Sequence, residues 1–348
     1  MSVNSVTGEL GFKLSICIST RNRAEFIGKT LDSILSQASP DYEIIVFDGA
    51  STDATEQVLA SYSRKVSNIR YFRQEINDGA ERGFDHAVQL ASGEYCWLMP
   101  DDDLLKPGAV DAILAAISKN YSLIVVNAEY RDLNMAKILH ASDLDIDADC
   151  EFGPEDIDRL FATCWKLIRY LGSVVIRREV WLSRDRERFF GSYWMHIGAI
   201  FQERLPGAAL LIATPYVCVR MENQSWLSNS FQIFYVNWPA LVSSLALSES
   251  VKQAYLREGW TAFQPLLLSR AAGQYSLSEY RNHVRPRLRS FWSRLLSALI
   301  AVLPRIILNT YLVLYYSTFG QTYARSHLLM LTQSRFNLRT WLKTSTVP

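Results

Sequence analysis

The sequence predicts an α/β domain on a mostly parallel sheet with flanking helices, followed by a C-terminal helical region of different character. Three observations carry this. Over the first 130 residues, short apolar runs alternate with stretches whose apolar residues recur at helical spacing, the alternation that a parallel sheet with crossover helices requires. Polar, carboxylate-bearing loops fall at the ends of those apolar runs. Beyond Phe231 nearly the whole chain is helical in pattern and rich in aromatics.

Lys13 to Ser19 (KLSICIS) is the first strand, and Ile27, Leu31, Ile34 and Leu35 mark one face of the helix after it. Tyr42 to Phe47 is the second strand, followed by a polar loop and a helix through Val58 to Tyr62. Ile69 to Phe72 gives a third strand, Gly79 to Leu90 a helix, and Tyr95 to Met99 a fourth strand. Pro107 can open the next helix at its first position, where the missing N–H costs nothing. Val110, Ile113, Leu114 and Ile117 form its apolar face, and Leu123 to Val126 is a fifth strand. Between about 130 and 220 the pattern is less regular. Strands are expected at Ser173 to Ile176 and Leu210 to Val219, and helices at Glu155 to Trp165 and Trp194 to Leu205. There is no internal repeat and no low-complexity segment. Ligands of such sheets bind at the carboxyl ends of the strands, so the loops after strands one, two and four are where chemistry is expected.

Length and composition bound the reading. The 348 residues suit one large domain or two smaller ones. Hydrophobic residues at 49% against 20% charged exclude a disordered chain, and 16 Gly with 11 Pro exclude a collagen-like one. The formal charge of +1 hides a split: Arg281 to Pro348 holds ten Lys or Arg and no acid, leaving residues 1–280 at net −9. Five widely spaced cysteines with no Cys-X-X-Cys fit reduced, mostly buried thiols in a cytoplasm, with Cys17 and Cys96 in the core. Met1 to Gly11 is polar and lacks the apolar segment of a signal peptide, and the Asn223-Gln224-Ser225 sequon would matter only in a secreted protein.

The polar loops are Ser19-Thr20-Arg21-Asn22-Arg23 after strand one, Asp48-Gly49-Ala50-Ser51-Thr52-Asp53 after strand two, and Pro100-Asp101-Asp102-Asp103 after strand four. Three consecutive carboxylates repel one another and suit a hard divalent cation that takes oxygen ligands and bridges to phosphate. The alternative is that Asp103 caps the helix near Pro107 while its neighbours are solvated. Asp53 reads as a helix-cap residue, and Gly79 and Gly93 as turn residues.

Residues 13 to about 125 resemble family 2 glycosyltransferases, whose nucleotide-sugar-binding domain has the GT-A fold, a Rossmann-like α/β arrangement. Ile16 to Arg23 resembles the family's first strand and loop, and Phe47 to Asp53 its Val-Asp-Asp-Gly-Ser-Thr-Asp signature, with Asp48 at the first Asp. Asn77-Asp78-Gly79 and Ala91-Ser92-Gly93-Glu94-Tyr95 follow at the family's spacing. Asp101-Asp102-Asp103 then matches the Asp-X-Asp metal motif, with Leu105-Lys106-Pro107 after it. Gly93 to Trp97 leading into the triplet is similar to abequosyltransferase-like members, which build bacterial surface polysaccharides.

The resemblance implies roles. Asp48 would accept a hydrogen bond from the base of a nucleoside diphosphate, Thr20 and Arg23 would lie beside base and ribose, and Asp101 would touch the ribose. Asp102 and Asp103 would hold Mg2+ or Mn2+ on the diphosphate. There are departures: Pro100 stands where many members carry the first Asp of the metal motif, and Gly83-Phe84-Asp85 replaces Ala-Arg-Asn. Asp85 is a candidate contact for the donor sugar or a solvated helix residue, and Arg82 either compensates for the missing Arg or is simply exposed. Inverting transfer needs a base for the acceptor hydroxyl. Met195-His196 occupies the neighbourhood of the family's Glu-Asp pair, so His196 is the candidate, against the reading of a core histidine. Asp185, Glu187 and Glu203 are the fallbacks, and Arg220 is either a diphosphate clamp or structural.

In the tail, Trp292, Leu295, Leu296, Leu299 and Ile300 keep helical spacing, flanked by Arg285, Arg287, Arg289 and Arg294. That is the pattern of a basic amphipathic helix in a membrane interface, with Pro304 turning the chain into a second apolar segment. A helical subdomain packed on the body is the alternative. A spanning helix is disfavoured by Pro304, Arg305 and Asn309. The expectation is a catalytic domain over 1–225 and a membrane-associating helical region over 226–348. The expected enzyme moves a sugar from a nucleoside-diphosphate donor to a saccharide acceptor, polyprenyl-diphosphate-linked, at the cytoplasmic face of the plasma membrane. Its partners would be the donor, the acceptor and an anionic membrane surface, without nucleic acid. The rivals are a non-catalytic sugar-nucleotide-binding or scaffold protein and, lower, a nucleotidyltransferase, which would need a Gly-rich loop where Ser19 to Arg23 has no Gly.

Overall fold

The computed structural model describes residues 11–144, 146–258, 263–319 and 324–338. They form two compact units. The first holds the described residues up to 131 with 140–190 and 195–219, and the second holds 132–139, 191–194 and the described residues from 220 onward.

The first unit opens with β1 (Leu14–Thr20), α1 (Ile27–Leu35), β2 (Tyr42–Asp48), α2 (Thr55–Ser63), β3 (Ile69–Arg73), α3 (Ala80–Leu90) and β4 (Tyr95–Pro100). Strands β1, β2 and β4 are apolar on both faces and almost wholly buried, as strands covered by helices on both sides must be. They continue into β5 (Leu104–Leu105), α4 (Ala109–Ile117), β6 (Leu123–Arg131), β7 (Ile138–His140), of which only His140 belongs to the first unit, and β8 (Cys150–Phe152). Then come α5 (Ile157–Ile168), β9 (Val174–Arg177), α6 (Arg178–Leu182), α7 (Met195–Phe201) and β10 (Ala209–Arg220).

The sheet has ten strands, eight of them in the order β3-β2-β1-β4-β9-β6-β10-β5. Pairing is parallel from β3 to β4. It is antiparallel at β4–β9, β9–β6, β10–β5 and β10–β8. The α/β class is as expected, but parallel pairing covers only one half. Pro107 is also displaced from its expected place: α4 starts two residues later, behind Gly108 in a left-handed conformation, and Val110 N–H is capped by the Gln37 side chain at 3.1 Å.

The amino end of the parallel half is closed by one carboxylate. Glu43, fully buried, accepts from Ser15 Oγ (2.8 Å), Ser92 N (2.6 Å) and Ser92 Oγ (2.5 Å), and from Arg70 Nη1 (3.1 Å). Gly93 follows because a Cβ there would lie 2.7 Å from Ser15 N. The Ala-Ser-Gly-Glu-Tyr stretch is thus a structural clasp.

In the second unit the α-helices among the described residues are α8 (Trp238–Ser244), α9 (Glu249–Glu258), α10 (Phe263–Ala271), α11 (Leu277–Glu279), α12 (Phe291–Val302), α13 (Arg305–Phe319) and α14 (Ala324–Thr332). One apolar cluster joins Phe231, Tyr235, Leu266, Tyr275 and Val284 to Ile300 and Ala301 of α12. A second joins Leu268 and Ala271 to Leu312 and Tyr316 of α13 and to Leu331. Asn309 is fully buried and donates to Ala271 O (3.1 Å) and Leu331 O (3.0 Å), pinning α10, α13 and α14. The polar interruption of the apolar segment is therefore a helix-packing device. No single helix among the described residues is long and apolar enough to cross a membrane, and α12 and α13 meet at a 99° bend.

Candidate active site

Sheet order alone brings the three polar loops together, since β2, β1 and β4 are neighbours. Thr20 lies opposite Asp48, and Ser19 opposite Pro100. The first two loops interlock: Asn22 N donates to Ser51 Oγ (2.9 Å), Arg23 N to Thr55 Oγ1 (2.8 Å) and Thr52 N to Asn22 Oδ1 (2.7 Å). The turn demands left-handed backbone at Asn22 (φ 55°) and Ala50 (φ 60°), which Asn tolerates and Ala does not. Asp53 accepts from Thr55 N (2.9 Å) and Ala24 N (3.2 Å), a loop-closing role in line with the cap reading.

Asp48 ends its strand as expected, but with no exposed surface. Its Oδ1 accepts from Ser51 N (2.9 Å) and Ser51 Oγ (2.6 Å), and its Oδ2 from Tyr71 OH (2.9 Å), with Arg73 Nε at 3.7 Å. A nucleotide base reaching this carboxylate has to displace one of these donors. Burial and the bond to Asp48 keep the Tyr71 phenol protonated.

The triplet is divided among different partners. Asp101 stands 3.4 Å from Arg23 Nε and Asp102 3.8 Å from Arg23 Nη2. Asp101 is pushed up to about 7, by burial first and by the charge of Asp102 second, with Arg23 opposing. Thr30 Oγ1 fixes its backbone carbonyl at 3.1 Å. Asp103, also buried, accepts from Tyr170 OH at 2.6 Å, and Gly108 stands at the N-cap of α4. The inserted antiparallel β9 is the reason. Its amino end lies against the carboxyl end of β4, with Trp97 opposite Val175, and carries the preceding Tyr170 to the triplet. Burial and the carboxylate hold that phenol protonated, a permanent donor.

Among the described residues no three Asp, Glu, His or Cys side chains converge on a point that would hold a metal ion unaided. The donor set nevertheless suits a shared ion. Burial and the charge of Asp102 raise Asp101 to about 7, and hard divalent ions complete their shells with phosphate oxygens and water. Asp102 and Asp103 are the residues that would hold it.

A further ionic cluster lies behind β5, where sequence reading placed nothing. Glu129, buried on β6, meets Lys106 Nζ (2.9 Å), Arg131 Nε (2.5 Å) and Cys218 Sγ (3.1 Å). Burial would raise Glu129, but the bonds from Lys106, Cys218 and Arg131 outweigh it and hold it below the usual range. Leu105-Lys106 thus anchors the strand that follows the triplet.

Two expectations are corrected. His196 is 3% exposed, surrounded by the wholly buried residues of α7, with Nε2 2.8 Å from Ile168 O. Burial drives it down to about 4, against that carbonyl. It is a neutral core histidine with no face for an acceptor hydroxyl. Asp85 is also buried: Oδ1 accepts from Trp181 Nε1 (2.8 Å) and Arg186 Nε (2.6 Å), and Oδ2 from Gln89 (2.7 Å). These bonds fasten α3 to α6 and engage both oxygens that a sugar would need.

The other proposed positions fall outside the triplet's partners. Arg220 ends β10 in the second unit, buried, and donates through Nη1 to Leu133 O. Asp185 and Glu187 are exposed, and Glu203 pairs with Arg184 at 2.9 Å. Arg82 covers the Phe190 ring at 4.3 Å. Tyr170, Tyr71 and Arg73 were missed by sequence reading. Arg73 ends a strand and was findable there; Tyr170 carries no local motif.

Comparison with known proteins agrees with this geometry. Over 226 residues, 61% of the chain, it is 28% identical to abequosyltransferase RfbV of Salmonella typhimurium, covering 68% of that protein. A second relative is the GalNAc(5)-diNAcBac-PP-undecaprenol beta-1,3-glucosyltransferase of Campylobacter jejuni, 30% identical over 139 residues. That match spans 39% of this chain and 45% of the relative. The structure also shares its fold with S. aureus TarS in complex with UDP (TM-score 0.55, 17% identity, 92% of this chain and 89% of that one). A second fold neighbour is the mannosyltransferase PcManGT of Pyrobaculum calidifontis with GDP-Man and Mn2+ (TM-score 0.50, 15% identity, 92% of this chain and 86% of that one). The family model for glycosyl transferase family 2 matches residues 15–179, the stretch that carries all three polar loops and Tyr170. Residues 15–179 of this chain are a family 2 glycosyltransferase domain.

Proposed function

We propose that the chain is an inverting glycosyltransferase that moves a sugar from a nucleoside-diphosphate donor to a saccharide acceptor on a polyprenyl diphosphate, in bacterial surface polysaccharide synthesis. The observation that carries this is the charge-crowded triplet at the end of β4, with Arg23 against Asp101 and Asp102 and Asp101 raised to about 7. Such a site gains most from a ligand that brings ribose hydroxyls to Asp101 and a cation with its diphosphate to Asp102 and Asp103. A bound Mg2+ or Mn2+ offsets the charge that develops on the departing diphosphate. The acceptor oxygen attacks the anomeric carbon, the bond to the diphosphate oxygen breaks with its electron pair, and the hydroxyl proton passes to a base other than the buried His196. Arg23, which faces Asp101 and Asp102, would be available to the phosphates where Asp102 and Asp103 hold a cation. The acceptor class is supported by the Campylobacter jejuni relative, which is named for a saccharide on PP-undecaprenol.

We place the protein peripherally on the inner face of the plasma membrane, through the second unit. The support is the acid-free stretch from Arg281 and the exposed apolar faces of α12 and α13.

The test is a screen of nucleotide sugars for metal-dependent hydrolysis and transfer, with products read by mass spectrometry. Asp102→Ala and Asp103→Ala should each lower turnover by about a hundredfold or more while the protein stays folded. Full activity in both removes the metal assignment. Nucleotide binding without turnover on any donor removes the catalytic reading.

A further inference from the structure

The second unit contains a cavity of about 600 Å³ between α8, α9 and the residues leading into α12. Arg287, Arg289, Ser290 and Ser293 line one side, Ser243 and Gln253 the other, and among the described residues no carboxylate lines it. Arg287 is held in place by Nη1 donating to Tyr235 O at 2.7 Å. Its floor is partly apolar, with the buried Leu288 among the lining residues.

The rim continues into an apolar face. Directly after Ser290, Phe291 and Trp292 are 70% and 67% exposed. Leu295, Leu296, Leu299 and Val302 extend the same face of α12 outward, while Ser297, Ile300 and Ala301 face the core. Beyond the 99° bend, Ile307, Tyr311, Leu314, Tyr315 and Phe319 are exposed on α13. An exposed apolar helix face with aromatics next to a hollow lined by Arg287 and Arg289 combines the chemistries that acyl chains and lipid phosphates take.

We propose that this cavity binds the phosphate of an anionic membrane lipid while the exposed face of α12 lies among the acyl chains. The occupant follows from charge complementarity, since the stretch from Arg281 onward carries ten Lys or Arg and no Asp or Glu. Arginine forks suit phosphate oxygens bidentately, and the serine hydroxyls supply further donors. The proposal rests on the peripheral-membrane reading above and adds a defined site to it. A diffuse basic surface would weigh every cation alike, whereas a built site weights those that line it.

The test floats the full chain with phosphatidylcholine vesicles, with and without phosphatidylglycerol. Each pocket variant is paired with one of equal charge change outside the pocket: Arg289→Gln with Arg281→Gln, and Ser243→Glu with Ser278→Glu. Thermal unfolding checks that each variant is folded. The outside variants should lower partition by about fivefold or less. The pocket variants should lower it by about tenfold or more, as loss of hydrogen bonds to a charged group implies. If the parent chain floats and each pair behaves alike, the pocket is overturned and the membrane reading stands. If the parent chain does not float with phosphatidylglycerol, both are overturned. If inorganic phosphate alone raises the melting temperature in an Arg289-dependent way without flotation, the lipid source is overturned.

Discussion

Glu43→Gln tests whether the scaffold is separable from the site. The carboxylate is fully buried and joins β1 through Ser15, β3 through Arg70 and the turn into β4 through Ser92. In the variant, the amide oxygen can keep the serine donors, but the NH2 group then faces Arg70 Nη1, donor against donor. One bond to a charged group is lost, worth about 1.5–3 kcal/mol, and the remaining ones weaken because their acceptor is neutral. Arg70 is partly exposed and recovers water, which limits the loss to about 2–4 kcal/mol at neutral pH. The pH dependence has a definite sign. Burial raises Glu43, but the bonds from Ser92, Ser15 and Arg70 prevail and hold it below its ordinary value. Its stabilisation is therefore present above the unfolded-state value and lost as pH falls through the folded one, closing the gap between parent and variant in acid. Cys17 and Cys96 are fully buried in this unit, so their labelling by a pyridyl disulfide in urea reports its opening alone. A difference under about 0.5 kcal/mol at neutral pH, within the range of ordinary surface substitutions, refutes the reasoning. So does a difference that persists once Glu43 is protonated. Nucleotide affinity should not change, because Glu43 sits at the opposite end of β2 from Asp48.

His196→Gln tests the correction to the catalytic base. The parent should lose about 3 kcal/mol between pH 6.5 and 4, because the histidine binds its proton only when unfolded. The variant should lack that loss and keep turnover within about tenfold; a larger fall in turnover of the folded variant restores His196 as base. Ala50→Gly relieves a left-handed alanine and should raise stability by about 1 kcal/mol in urea titration, and a destabilised variant contradicts the strain. Tyr170→Phe removes the donor to Asp103. It should shift the metal concentration for half-maximal turnover more than KM for the donor, and an unchanged metal dependence rules out Tyr170 as a positioning residue.

The membrane test has to be made by surface substitution. Removing residues 281–348 removes Ile300, Ala301, Leu312 and Tyr316 from the cores of the second unit, so truncation would unfold what it is meant to detach. A basic tail read from charge alone is, in three dimensions, half core and half exposed face.

Periodicity was enough to identify the strands and helices of the parallel half, because buried strands must be apolar on both faces and crossover helices on one. It also located the polar loops, since the ends of parallel strands are where such residues are tolerated. Partners were another matter. The sequence read Asp48 as facing a ligand, Asp85 as a sugar contact or a solvated residue and His196 as a base or a core residue, and each is buried in contacts made with residues distant along the chain. Tyr170 reaches Asp103 only because β9 enters the sheet antiparallel between β4 and β6. Local pattern records which face of an element is apolar, because burial acts on each residue separately. Which donor meets which carboxylate depends on strand order and direction, and these are set by the packing of the whole sheet.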